Sequence, residues 1–377
     1  MARLLIFGVA ALATLLAPAA SAHKPSDSYL SLAVGEQAVT GRWDVALRDL
    51  EHAIGLDRDG DGAITWGEVK ARHTDIAAYA LARLELISAG SGCSTEPVEH
   101  LIDQHSDGAY AVLRFVAHCP VPIGALEITY GLLFELDPLH RGLVQVQSGD
   151  LTQTSIFGPE RRTWHVPRGS PDLGQQFTTY LREGIRHIWI GIDHILFLLC
   201  LLLPVARRRD RGSSEPREYH RPVLIEVAKV VTAFTVAHSI TLGLAALGVV
   251  ELPSRLVESA IAASIVLAAL NTVHPSVTRQ LWMVAFGFGL IHGFGFASVL
   301  ADLVLPESTL LLALLGFNLG VEIGQLMLVG LFFGVCWALR GLAVAWPRWA
   351  ASLSAYAIAA IGAIWFAERA FGVALAG

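Results

Sequence analysis

The chain changes character partway along. Residues 23–180 alternate apolar and polar positions in short runs, whereas 184–367 consist almost wholly of long apolar stretches. A bilayer core about 30 Å thick takes about 20 helical residues, and six stretches reach that length: 184–205, 222–248, 255–273, 280–302, 309–338 and 350–367. Ahead of them, Tyr29–Val34, Ala109–Val116, Leu126–Glu135, Leu143–Gln147 and Leu151–Phe157 carry the period-two pattern of strands, set off by Gly, Pro and Asp turns. Helical patterns at Val45–Ile54 and Glu68–Ile87 flank a polar loop. The pattern predicts a membrane all-α bundle of six transmembrane helices, preceded by an exported, mainly-β, sandwich-like domain with an EF-hand inserted in it.

The first residues sharpen the boundaries. Arg3, the apolar stretch Leu4–Leu16 and the small-residue ending Ala20-Ser21-Ala22 have the layout of a secretory leader. The expected organisation is a signal peptide at 1–22, an extracytoplasmic β-rich domain at 23–166, a linker at 167–183 and the six-helix transmembrane domain at 184–367. If residue 23 is delivered outside, the first span runs inward, and the loop after it carries Arg207, Arg208, Arg209, Arg211, Arg217 and Arg221. The other expected inner loops hold Arg279, Arg340 and Arg348, while the outer side offers only Arg255 and Arg369. The positive-inside rule therefore agrees with the leader and puts both the N-terminal domain and the C-terminus outside a bacterial-type inner membrane.

Composition adds little beyond exclusions. A net charge of −6 provides no basic stripe for nucleic acid, and none of the three lysines follows a glycine, so no Walker phosphate loop exists. Cys93 and Cys119 fall in the exported part without metal-ligand spacing, which predicts a disulfide, whereas Cys200 and Cys336 lie within apolar runs. If cleavage follows Ala22, the free amine and imidazole of His23 could together chelate copper.

Two constellations carry chemistry. The loop Asp57-Arg58-Asp59-Gly60-Asp61-Gly62-Ala63-Ile64-Thr65-Trp66-Gly67-Glu68 (57–68) fits the twelve-residue EF-hand pattern for calcium. Asp57, Asp59, Asp61, Thr65 and Glu68 supply side-chain oxygens, Ala63 its carbonyl, and Gly62 the sharp turn. The second constellation lies in the membrane. Counted inward from their helix ends, Asp193, His238, His292 and Asn318 lie about 9–10 residues deep and Glu322 about 13, roughly 13–20 Å at 1.5 Å per residue. His187 and His194 are seven apart, and Asn318, Glu322 and Gln325 follow one helix stripe. One such histidine could simply glue helices together. A whole layer of imidazoles and carboxylates is different, because each charged side chain at the bilayer centre costs about 2.5–3.5 kcal/mol on insertion scales. Such a set suits a divalent transition metal or a proton relay. Gly287, Gly289, Gly293 and Gly295 surround His292 and predict close helix packing.

The run His187-Ile-Trp-Ile-Gly-Ile-Asp193-His194 resembles the H-x5-D-H signature of the HupE/UreJ family, membrane proteins associated with hydrogenase and urease gene clusters. Ile291-His292-Gly293-Phe294-Gly295 and Phe317-Asn318-Leu319-Gly320-Val321-Glu322 extend the likeness, and His23-Lys24-Pro25-Ser26-Asp27-Ser28-Tyr29 is similar to members with a large exported domain. The resemblance implies nickel or cobalt permeation dependent on the His/Asp element, beside partners that mature metalloenzymes. Two other readings stand beside it. One is an intramembrane zinc hydrolase, although no HExxH occurs. The other is a non-transporting assembly or sensor protein organised by calcium.

Overall fold

The computed structural model describes residues 26–105, 108–149, 151–167, 172–207, 220–250, 252–275, 277, 280–295, 307–338 and 348–371. The expected leader, His23, Arg208, Arg209, Arg211, Arg217, Arg279 and Arg340 lie outside the described residues. The described residues divide into two compact units, one made of those in 26–179 with 307–313 and the other of those in 180–295 with 314–371.

The first unit is mainly β. Its strands are β1 (Asp27–Val34), β2 (Ala38–Ala46), β3 (Leu84–Ser88), β4 (Ser91–Gly92), β5 (Ser94–His105), β6 (Gly108–His118), β7 (Leu126–Tyr130), β8 (Arg141–Ser148), β9 (Leu151–Phe157) and β10 (Thr163–His165). One six-stranded sheet has the order β5-β6-β2-β1-β8-β9 and a four-stranded one the order β10-β7-β3-β4. Pairing is antiparallel except between β1 and β8, which run parallel. Leu126, Ile128 and Tyr130 of β7 alternate inward, as do Leu84 and Leu86 of β3, and both sets join one apolar core with Trp43, Val144 and Phe157. The Tyr130 ring stacks on Phe157 at 5.4 Å and tilts against Trp43 at the same distance. It lies directly over Gly142, where a Cβ would meet the ring at 2.6 Å.

The expected mainly-β unit is present, as two sheets sharing one apolar core, with differences from the sequence reading at its edges. Strand β2 takes Val45 and Ala46, so the first helix, α1 (Leu47–Ile54), starts later than its pattern suggests. The helical pattern at Glu68–Ile87 breaks into α2 (Trp66–Ala71) and α3 (His73–Leu81), and its tail is strand β3, because Leu84 and Leu86 serve a period of two as well as one of 3.6. Strand β5 escaped prediction because it is an exposed edge rich in Glu, His and Asp, with a register shift between Pro97 and Glu99. Charge and irregularity of this kind keep an edge from pairing with other chains. The Cys93–Cys119 disulfide forms as expected, across a separation of 26 residues. Loop closure of that size stabilises by about 3.5 kcal/mol.

One buried histidine pins the first strand. His140 is fully buried; its Nδ1 lies 2.5 Å from Ser26 Oγ and its Nε2 2.8 Å from the Tyr130 hydroxyl, which in turn meets Ser28 Oγ at 2.6 Å. Burial lowers its pKa to about 3.

The second unit is helical, and two of its helices, α4 and α9, begin in the first: α4 (Leu173–Ile190), α5 (Ile192–Arg207), α6 (His220–Ala246), α7 (Ser254–Val273), α8 (Leu281–Gly295), α9 (Glu307–Ala338) and α10 (Arg348–Phe371). Among the described residues, Ile225–Ala246, Ser254–Val273 and Leu310–Val335 are long and apolar enough to cross a bilayer. The pair α4 and α5 adds a fourth crossing if its 69° bend lies within one span. Helix α8 is shorter, at 15 residues, and α10 is not among the qualifying helices. Glycines set the packing. A Cβ on Gly293 would collide with the Thr241 hydroxyl and the His238 carbonyl, and one on Gly289 with the Phe234 carbonyl, so α8 lies directly on α6. Gly320 and Gly184 bring α9 and α4 together in the same way. Lipid tails give helices no hydrophobic drive to associate, so this close approach of backbones is a main source of cohesion.

Two predictions follow from this packing. Between pH 6.5 and 3 the unfolded chain binds a proton at His140 that the folded chain refuses, so stability falls as pH drops, by up to about 1.4 kcal/mol per pH unit. Denaturant melts of the purified protein across that range, followed by tryptophan fluorescence, check this. A wild-type slope matched by His140→Gln would refute it. In detergent, Gly293→Ala should lower the melting temperature, by about 1–3 kcal/mol of overpacking. Gly287→Ala, which meets nothing within 4 Å, should leave it unchanged or higher.

Candidate metal centre

Gly191 breaks the first apolar run between α4 and α5. Its N–H donates to the His187 carbonyl at 2.8 Å, and a Cβ there would press on His194 Nδ1 at 2.7 Å and Asp193 Oδ1 at 2.9 Å. The break leaves His187 in the last turn of α4 and Asp193 in the first turn of α5, where the helix dipole favours a carboxylate. His187 and His194 were expected to share one straight helix face. They meet instead across the bend, edge to face, with ring centroids 4.7 Å apart.

His292 of α8 lies 5.1 Å from His194, and His238 of α6 lies 6.2 Å from His187 and 6.5 Å from His194. Two overlapping triplets result, His187/His194/His238 and Asp193/His194/His292, each with donor atoms within 4.8 Å of one another. Phe234 and Phe317 stand against these rings, as does Phe197 against His292. His194, His238 and His292 are 5%, 0% and 2% exposed.

The hydrogen bonds determine which ring nitrogens are free to bind. His194 Nδ1 lies 3.0 Å from Asp193 Oδ1, and an ionised carboxylate only accepts. Asn318 Oδ1 lies 3.1 Å from His238 Nδ1, and its amide nitrogen donates to the Leu314 carbonyl, so it too accepts from the ring. Ser264 Oγ donates to the Ile261 carbonyl and therefore accepts from His292 Nε2 at 3.1 Å. Each partner thus takes the ring N–H and leaves the opposite nitrogen as a lone pair. Among the described residues those opposite atoms, His194 Nε2, His238 Nε2 and His292 Nδ1, are buried without a hydrogen-bond partner. Leaving a buried acceptor unmet costs about 1–3 kcal/mol, and an imidazole held through one nitrogen with the other bare is the usual posture of a metal ligand.

Not every expected residue joins this centre. Glu322 reaches the Thr232 hydroxyl at 2.9 Å and Gln325 that of Thr235 at 3.2 Å, away from the imidazoles. Of the stripe on α9, only Asn318 touches a histidine. Ser264 was not legible as a site residue, because a serine in an apolar helix is an ordinary packing residue. Glu258 pairs with Arg369 at 3.5 Å, and His274 caps the end of α7.

In the β unit, Asp57, Asp59 and Asp61 bring carboxylate oxygens within 4.8 Å of one another. Gly60 and Gly62 hold φ of +74° and +84°, and Asp57 accepts from both their N–H groups. Glu68 accepts from the N–H groups of Thr65 and Arg58, which draw its carboxyl down to about 2. The Ala63 N–H is held by Asp61, and Thr65 caps α2. A second acidic group, Asp44 and Asp103 with His105, is already engaged: Arg42 donates to both carboxylates at 2.6–2.8 Å. Burial opposes the Asp44 charge, yet hydrogen bonds from His105 and Arg42 outweigh it and keep that carboxyl below its ordinary range.

Among curated proteins none is significantly similar to the chain. Residues 161–369 match a family model described as HupE / UreJ protein, a stretch that takes in α4 to α9, all but the last two residues of α10 and every histidine of the centre. That match covers more than half of the 377 residues, and with its apolar helices the chain is a multi-pass membrane protein belonging to the HupE/UreJ family.

Proposed function

We propose that the chain is a permease for a divalent transition-metal cation, nickel or cobalt by family association, with His187, Asp193, His194, His238 and His292 as the transit site. The observation that carries this reading is the tautomer pattern: His194, His238 and His292 each surrender their N–H to an oxygen and keep the opposite nitrogen as a buried lone pair, with Phe234 and Phe317 against the rings. Neutral imidazole nitrogen with one carboxylate suits nickel, cobalt, copper or zinc, and disfavours calcium and magnesium, which prefer oxygen. Asn318 and Ser264 hold rings in place. The broken helix α4–α5 puts helix ends at the site, as discontinuous helices do in other transporters. We read α4–α5, α6, α7, α8, α9 and α10 as six spans with both chain ends outside, in keeping with the arginine distribution.

Calcium belongs to the exported unit in this reading. Asp57, Asp59, Asp61, Thr65 and Glu68, with the Ala63 carbonyl, would hold it, and the positive-φ glycines already shape the turn. A single loop of this kind, in a compartment where calcium is plentiful, is suited to stabilising its domain rather than signalling.

Equilibrium dialysis of the purified protein against nickel should show saturable binding that weakens in acid, because imidazole ligates only when neutral. Asn318→Leu should cost about 10–100-fold in affinity, as loss of an orienting partner usually does. Nickel uptake by expressing cells that is the same for His194→Ala as for wild type would defeat the permease reading. Calcium at a hundred times its Kd should stabilise the exported unit by about 2.7 kcal/mol, and the thermal shift should vanish with a chelator or with Glu68→Gln.

A further inference from the structure

We propose that Glu322, Gln325, Thr232 and Thr235 form a second cation station, built only of oxygen donors and separate from the histidine centre; this rests on the permease reading. Three polar pairs join α6 to α9: His238 with Asn318, Thr235 with Gln325 and Thr232 with Glu322. On α6 they step by three residues, so Thr235 and Thr232 lie about 4.5 and 9 Å along the helix from His238, toward its N-terminal end. The last pair puts a carboxylate oxygen 2.9 Å from a hydroxyl, with Glu322 only partly buried. Ionisable side chains inside a membrane span are rare and mark ion paths, and none of the histidines accounts for this one.

The chemistry of the two stations differs in a useful sense. Imidazole lone pairs bind a transition metal tightly, and a centre in which they predominate would hold its ion. Conduction needs a site favourable enough to enter and weak enough to leave. Carboxylate, amide and hydroxyl oxygens are poorer partners for nickel or cobalt than imidazole, yet can replace water around the cation. An ion that exchanges imidazole nitrogen for these oxygens therefore steps down in affinity before it regains its full hydration. Beyond Thr232 toward the start of α6, Lys229 and Glu226 are already joined at 2.9 Å.

The test uses full-length protein in liposomes, with radioactive nickel as the probe, and measures both bound nickel at equilibrium and initial rates of uptake. Glu322→Gln, nearly the same shape, should bind nickel within about twofold of wild type while its maximal uptake rate falls at least tenfold and its KM moves little. Glu322→Asp should restore part of the rate. Thr232→Val, which removes an oxygen and leaves the carboxylate, should slow uptake about threefold and serves if Glu322→Gln elutes as aggregate. Wild-type uptake by Glu322→Gln and Thr232→Val, beside an inert His194→Ala, would overturn the station and leave the permease standing. Loss of equilibrium binding in well-folded Glu322→Gln would also overturn it, by making Glu322 a ligand of the histidine centre. Full uptake by His194→Ala would instead remove the permease reading itself.

Discussion

Hydrocarbon offers no water to meet a polar group, and everything in the helical unit follows from that. Four imidazoles gathered inside a membrane must find partners in protein or remain unmet at a cost. Here three of them find one partner each, from three different helices, and keep the second nitrogen bare. Bringing the rings so close requires backbones in near contact, which is what the glycines at 184, 289, 293 and 320 permit. Glycine packing and histidine convergence are therefore one design: enlarging the former separates the latter.

Much of this was legible in the sequence, and the failures have physical reasons. The depth of Asp193, His238, His292 and Asn318 along their runs is a matter of counting residues, and helices have a fixed rise, so their meeting could be anticipated. Which way a side chain turns is a matter of neighbours, and so Glu322, one helical turn further along the same stripe, could not be separated from Asn318 in advance. The Gly191 break was hidden because an isolated glycine in an apolar run is usually tolerated within a helix. In the β unit, strands β7, β8 and β9 were readable from their inward apolar positions, whereas β5, polar on both faces, offered no period to read. The Cys93–Cys119 bridge needed only the compartment to be predicted.

The two units solve unlike solvent problems with the same device, a buried histidine held by hydrogen bonds to its ring. His140 in the β unit has both ring nitrogens engaged, by Ser26 and Tyr130, and serves as a neutral rivet. His194, His238 and His292 differ by one missing bond each, and that difference separates a structural imidazole from one available to a ligand.

The parallel pairing of β1 with β8 has a consequence for biogenesis. Strand β1 sits in the interior of its sheet, and one of its two neighbours is made more than a hundred residues later. Contacts so distant along the chain are slow to form. The β unit cannot close its larger sheet while the ribosome is still delivering the stretch before Ser148, and the first apolar helices follow soon after. The middle strand therefore stays open to chaperones until its late neighbour arrives.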